Sequence, residues 1–304
     1  MTGINGNPDP FILDMPNLID CGIMGHCHNR CEFCYQGGSN QPNMKLGDYQ
    51  KIINQARSHV NQIALGGRGD PNKHENFKEI IEYTRVNRII PNYTTSGKYL
   101  TEEEVEISKG CGAVAVSDYS EKFTFEALDM FMKAGIKTNI HFVLSSKSFD
   151  KAMRMLNGED VWNGQVDLDR LNAVIFLKFK PQGNGKNLDW DITSEQAKRF
   201  YEAIHLGKTK FKVGMDSCMV NRVKRVCRLT PNEELSLDTC EGSRMSCYIS
   251  SDMKLMPCSF GNHSECGVKI EGENSIENIW QNNKIFTDFR GVLKNNPASC
   301  PFEL

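Results

Sequence analysis

The chain has 304 residues, 39% of them hydrophobic and 24% charged, with a formal charge of −2. That balance is globular rather than disordered or coiled-coil, and it implies no global attraction to nucleic acid or to an anionic membrane. No apolar run approaches the roughly 20 residues of a membrane span, and residues 1–14 lack the basic-then-apolar order of a signal peptide, so a cytoplasmic chain with neither nucleic-acid nor membrane partner is expected.

Short β-rich runs alternate with helical patterns through the first 180 residues or so. Leu18 to Gly22 reads as a strand. Leu46 to Val60 places Tyr49, Ile52, Ile53 and Ala56 at helical spacing. A strand from Gln62 to Leu65 stops at Gly66-Gly67, and a helix follows over Asn76 to Asn87. Arg88 to Thr95 is the next strand. Thr101 and Glu104 have the spacing of a capping box for a helix ending near Lys109. Ala113 to Ser117 is a strand, and Thr124 to Ala134 a helix closed by Gly135. Lys137 to Leu144, Phe149 to Leu156 and Leu171 to Phe179 complete six β/α units, and a helix over Ser194 to Ile204 lies in a connector. Such alternation predicts a parallel sheet covered by helices, with the near-continuous apolar strands Ala113–Val116 and Val174–Leu177 buried on both faces. Six units suggest an α/β partial (β/α)6 barrel. The rhythm stops near residues 205–215, which divides the chain into an N-terminal segment (1–17), a barrel (18–210) and a Cys-rich C-terminal domain (211–304).

Twelve cysteines is the unusual number, and in a cytosolic chain clustered cysteines point to metal or redox chemistry rather than to disulfides. Cys27, Cys31 and Cys34 follow the first strand. Three thiolates can hold an iron–sulfur cluster while leaving one iron open. A zinc site completed by His26, His28 or Cys21 is the alternative. The position of the loop, at the carboxyl end of a strand, is where β/α proteins place their chemistry.

The C-x3-C-x2-C spacing, with Phe33 before the last cysteine, resembles the signature of the radical S-adenosylmethionine (SAM) superfamily. The resemblance implies that Cys27, Cys31 and Cys34 ligate a [4Fe–4S] cluster. SAM would chelate its fourth iron, and reductive cleavage would give a 5′-deoxyadenosyl radical that takes hydrogen from substrate. Leu65-Gly66-Gly67-Arg68-Gly69-Asp70 resembles the GGE motif that meets the methionyl amine, with Arg68 in the usual Glu position and Asp70 a substitute carboxylate. Thr94-Thr95-Ser96-Gly97 is similar to the turn near the SAM ribose. Ser117 ends strand four, where relatives place a polar contact. Asn139 and His141 alternate on strand five, either in the pocket or, for His141, as a satisfied core histidine. Lys178 and Lys180 alternate on strand six and would reach a carboxylate or face solvent.

The last third carries Cys218, Cys227, Cys240, Cys247, Cys258, Cys266 and Cys300. Tyr248 to Pro257 reads as a hairpin that would bring Cys247 and Cys258 together. The hairpin ending in Pro257-Cys258, followed by Ile276 to Trp280, is similar to the SPASM and Twitch auxiliary-cluster domains. That similarity implies one auxiliary [4Fe–4S] cluster on Cys240, Cys247 and Cys258, with Cys218, Cys266 or Cys300 as fourth ligand and Cys218 the first choice. Left unligated, Cys218 would be a candidate hydrogen-atom donor. Cys111 reads as a small buried hydrophobe.

The resemblance therefore implies an oxidoreductase acting on a peptide or protein residue, by cross-linking, epimerisation or oxidation, with flavodoxin or ferredoxin as reductant. Only 26 residues precede Cys27, too few for the winged-helix peptide-recognition domain of many relatives. Dehydrogenation or rearrangement of a sugar, nucleotide or amino acid is the second expectation. A zinc-stabilised, non-catalytic binding protein is the third.

Overall fold

A computed structural model describes residues 12–37, 40–237, 239–261 and 263–302. Seven parallel strands form its centre: β1 (Leu18–Met24), β2 (Gln62–Gly67), β3 (Ile90–Thr95), β4 (Val114–Ser117), β5 (Thr138–Leu144), β6 (Ala173–Lys178) and β7 (Lys212–Met215). The sheet continues past β1 through β8 (Ser246–Ile249), β9 (Lys254–Met256) and β10 (Val268–Lys269), in the order β10-β9-β8-β1-β2-β3-β4-β5-β6-β7. It is the open barrel of the expected α/β class.

The helices form where periodicity and caps agree. In α1 (Leu46–Ala56) the buried residues are Tyr49, Ile52, Ile53 and Ala56, one face of the helix. The α3 helix (Glu102–Ser108) begins with the reciprocal Thr101–Glu104 capping box. Gly135, at φ +75°, follows α4 (Lys122–Lys133) in the left-handed conformation that glycine adopts without a Cβ clash. The helices α2 (Phe77–Val86), α5 (Phe149–Leu156) and α6 (Ser194–His205) complete the covering layer.

Two features depart from the sequence expectation. A seventh strand, β7, pairs with β6 inside the stretch assigned to the C-terminal domain. It has four residues and only partial burial, so it lacks the apolar run that marks the inner strands. Its helix α7 (Ser217–Val226) packs back on β6, so Cys218 belongs to the barrel wall. The C-terminal hairpin also extends the barrel sheet directly, because β8 runs parallel to β1 with Ile19 opposite Cys247 and Asp20 opposite Tyr248.

After the hairpin come α9 (His263–Cys266), α10 (Ile276–Asn282) and α11 (Lys284–Asn295), while α8 (Pro231–Ser236) lies between α7 and the hairpin. Trp280 is fully buried, donates through Nε1 to the Leu13 carbonyl at 2.8 Å, and lies under the Arg290 guanidinium at 4.7 Å. That anchor closes the C-terminal helices against the chain ahead of β1. Among the described residues, no helix is long and apolar enough to cross a membrane.

Candidate functional site

A cavity of about 740 Å³ opens over the carboxyl ends of the strands, within the range that holds a cofactor or drug-sized ligand. Cys27, Cys31 and Cys34 border it, all half-buried. The loop that carries them is braced from the segment after β6: the Asn184 backbone N–H donates to the Cys34 carbonyl at 2.8 Å, and its amide donates to the Cys31 carbonyl at 3.1 Å. Cys31 Sγ lies 3.1 Å from the Tyr119 hydroxyl, and the Tyr119 ring stacks on Phe33 at 6.3 Å. Burial pushes the Cys31 thiol pKa up, the Tyr119 bond pulls it down, and neighbouring Cys34 and Cys27 push it up again, so the three sulfurs sit within electrostatic reach.

The glycine turn after β2 supplies the adjoining wall. Gly66 has open space where a Cβ would stand, whereas Gly67 adopts φ +113° with the Met24 carbonyl 2.3 Å from such a Cβ. Arg68 and Gly69 border the cavity too. Asp70 does not stand free as a substitute carboxylate: it accepts from the Ser96 backbone N–H at 2.7 Å and from the Ser96 hydroxyl, tying the β2 turn to the β3 turn. Burial raises its pKa despite those bonds. Thr95 lines the cavity, with its hydroxyl accepting from Gly97 N–H at 3.0 Å.

Ser117, His141 and Lys178 face the cavity from the next three strands. His141 Nδ1 lies 3.2 Å from the Thr94 hydroxyl, and burial depresses its pKa to about 4, so the imidazole is neutral. Lys178 pairs with Asp191 at 3.5 Å. Asn139 is a correction: it sits at the opening of β5, outside the cavity lining, and its side-chain oxygen accepts from Asn172 at 2.6 Å. It shares a face with His141 but lies two residues too early to reach the carboxyl end of the strand.

At the other end of the same cavity stand Cys218, Cys240 and Cys258. Cys240 is acted on electrostatically by Cys218 and Cys300, and Cys258 by Cys218 and Cys240, so these four thiols form one group. Burial pushes Cys240 up to about 12 and Cys258 well above the ordinary thiol range. Cys247 stands apart from this group. The hairpin forms as expected, but Cys247 packs with Cys21 and Ile249 in the main core and is influenced by Asp20 and Cys21 alone. Cys247 borders the cavity beside Tyr248, whose hydroxyl lies against Gly22, but Cys240 and Cys258 are acted on by the other thiols and not by it. Cys266 ends α9, and Cys111 is pushed up to about 12 by burial, as for a small core residue. Among the described residues no three His, Cys, Asp or Glu side chains converge closely enough to grip a single metal ion.

Two cavity groups, Asp20 and Tyr35, escaped the sequence reading, whereas Lys180, expected to reach a carboxylate or face solvent, is buried. Asp20, inward on β1, has its pKa raised to about 7 by burial and by Glu241. Tyr35, beside Cys34, packs its ring on Phe260 at 4.6 Å. Lys180 is buried with its ammonium 4.4 Å over the Phe260 ring. Burial alone would lower the Lys180 pKa, but Cys218, Asp216 and Cys300 outweigh it and the net direction is up. Strand parity carried a signal for Asp20; only the tertiary fold brings the others together.

No protein-family model matches the chain. It is 22% identical over 309 residues to "Mycofactocin maturase MftC" of Mycolicibacterium smegmatis, covering 91% of this chain and 73% of that protein. The maturase of the same name from Mycobacterium tuberculosis (strain H37Rv) is 20% identical with the same coverage. Among solved structures, Streptococcus suis SuiB bound to S-adenosylmethionine superposes with a TM-score of 0.72 at 14% identity, over 92% of this chain and 68% of that one. The enzyme anSMEcpe with bound AdoMet superposes at 0.63 and 14% identity, over 90% and 82%. The fold is that of the radical SAM enzymes. Its cysteine loop after β1 and its Cys-rich extension beside β8 give the chain the layout of radical SAM enzymes that carry a SPASM/Twitch-type auxiliary-cluster domain.

Proposed function

We propose that this enzyme modifies a residue of a peptide or protein, with SAM and a [4Fe–4S] cluster at Cys27, Cys31 and Cys34 and one auxiliary [4Fe–4S] cluster on Cys218, Cys240, Cys258 and Cys300. The observation that carries the reading is a single cavity bordered by the early trio at one end and by Cys218, Cys240 and Cys258 at the other. The four-thiol group provides the complete set of thiolates a cubane takes.

Bound together, cluster and SAM supply reductive cleavage of the sulfonium to a 5′-deoxyadenosyl radical that abstracts hydrogen. The protein's part is orientation and exclusion of water. Gly66 leaves room for a ligand at the backbone of β2. Arg68, Gly69, Thr95, Ser117 and Lys178 offer polar or backbone contacts around the same space. His141 stays neutral and serves as a hydrogen-bond partner rather than a charge. With Cys218 assigned as a ligand, it is no longer the hydrogen donor. The auxiliary module is drawn from residues 211–304, with α7 contributing Cys218. A peptide substrate is favoured because SuiB has been solved bound to its precursor peptide SuiA, with a TM-score of 0.71 to this chain. A cytoplasmic reductant such as flavodoxin or ferredoxin would supply the electron.

Anaerobically reconstituted protein should contain about eight irons and form 5′-deoxyadenosine on reduction. Cys31→Ala should abolish that product. A candidate precursor peptide should show a SAM-dependent change in mass. Colourless protein holding stoichiometric zinc would reject the enzyme chemistry, and turnover of a small molecule with no change in any peptide would reject the substrate class.

A further inference from the structure

Lys180 is the buried cation of the auxiliary end. It follows β6 by two residues, and its side chain crosses the cavity wall to the segment after the hairpin. The ammonium stands 4.4 Å over the Phe260 ring, and Lys180 borders the same cavity as Cys218, Cys240 and Cys258. Cys300 and the Asp216 carboxylate lie within its electrostatic reach, and Cys240 and Cys258 feel it in turn. Asp216 is otherwise engaged, accepting from Met219 N–H at 2.7 Å and Lys178 N–H at 3.2 Å as it caps α7. The charge is thus held between an aromatic face and the thiols, with little freedom to leave.

We propose that the Lys180 ammonium, buried over the Phe260 ring in the cavity that Cys218, Cys240 and Cys258 border, sets the reduction potential of the auxiliary cluster by holding a fixed positive charge near its ligands. The inference rests on the assignment of Cys218, Cys240, Cys258 and Cys300 as that cluster's ligands. A cubane on four thiolates becomes one charge more negative on taking up an electron. A nearby cation stabilises the reduced form more than the oxidised one, and the low-dielectric surroundings strengthen the effect. Lys180 is therefore a positioning residue that makes the auxiliary cluster easier to reduce.

The test uses the full chain carrying Cys27→Ala, Cys31→Ala and Cys34→Ala, so that the auxiliary cluster is the only one. Dithionite reduction is followed by electron paramagnetic resonance against a series of redox mediators. Lys180→Met should move the midpoint to a more negative potential at unchanged iron content, and Lys180→Arg should restore most of the shift. In the same protein labelled with 15N-lysine, the reduced cluster should show a nitrogen hyperfine coupling that Lys180→Arg removes. That measurement needs no folded Lys180→Met variant. A bound cluster whose midpoint ignores Lys180→Met, or one with no lysine coupling, would overturn the proposal. A triple variant that binds no iron would instead overturn the ligand assignment beneath it.

Discussion

The Tyr119 hydroxyl and the Cys31 sulfur lie 3.1 Å apart, across the 88 residues that separate the cysteine loop from the end of β4. Burial and the neighbouring sulfur push the Tyr119 pKa far up, so the hydroxyl keeps its proton and would donate to Cys31 once a cluster holds it as a thiolate. A hydrogen bond to a charged group contributes about 1.5–3 kcal/mol. Hydrogen bonds to ligand sulfurs are one of the levers on cluster potential. Tyr119→Phe should retain the first cluster but make it harder to reduce, with slower 5′-deoxyadenosine formation. Potentiometric resonance spectra of Tyr119→Phe beside the unaltered chain check this, and an unchanged midpoint would remove Tyr119 from the site.

Gly66 and Gly67 should part company when each is changed to alanine. At Gly67 the new Cβ would meet the Met24 carbonyl at 2.3 Å from a backbone at φ +113°. Strain of that kind costs about 1–3 kcal/mol before any clash is added. Gly67→Ala should therefore lower the melting temperature by several degrees. At Gly66 nothing lies within 4 Å of the added carbon, and the residue borders the cavity. Gly66→Ala should fold normally and lose SAM affinity, read by anaerobic equilibrium dialysis. Equal SAM binding by Gly66→Ala and the parent would mean that the ligand does not approach that backbone.

The barrel was legible because local signals agreed with the fold: the Thr101–Glu104 box, the Gly135 stop and the apolar strands all act over a few residues. The site was legible where chemistry sits next to a strand end, as with Cys27, Cys31, Cys34, Gly66 and Ser117. What the sequence hid depends on long-range pairing. β7 is too short and too exposed to advertise itself. The parallel pairing of β8 with β1 sets Cys247 opposite Ile19 in the main core, and no spacing within Cys240 to Cys258 encodes that.

That pairing makes a direct prediction about iron. Cys247 is 2% exposed and packed in the main core, so Cys247→Ala should keep the full iron content while losing about 1–2 kcal/mol of stability from the cavity it leaves. Cys300 acts on Cys218 and Cys240 at the auxiliary end. Cys300→Ala should bring the metal content down by about four irons per chain, as expected for a four-thiolate cluster missing a ligand. Iron and sulfide assays on both variants decide the matter, and a Cys247→Ala protein stripped of its auxiliary cluster would restore the sequence-based ligand set.

Asp20 and His141 should pull the stability of the metal-free chain in opposite directions as pH changes. Burial, reinforced by Glu241, raises the Asp20 pKa from 3.8 to about 7. Between those values the folded chain holds a proton that the unfolded chain has released, so stability falls as pH rises through the window. Burial lowers the His141 pKa from 6.5 to about 4. There the unfolded chain holds the extra proton, and stability rises with pH between 4 and 6.5. The two slopes overlap and largely cancel, which leaves the parent nearly flat between pH 5 and 6.5 as far as these two groups decide it. Asp20→Asn removes the falling term, so its stability should climb with pH across that interval. His141→Gln removes the rising term and should show the reverse. Because Asp20 and His141 both border the open cavity, each slope should amount to about 1 kcal/mol per pH unit at most, below the full ~1.36 of an unscreened proton. Urea unfolding at pH 5, 6 and 6.5 measures both slopes, and parallel curves for the two variants would show that neither group is titrating in the folded chain as its burial requires.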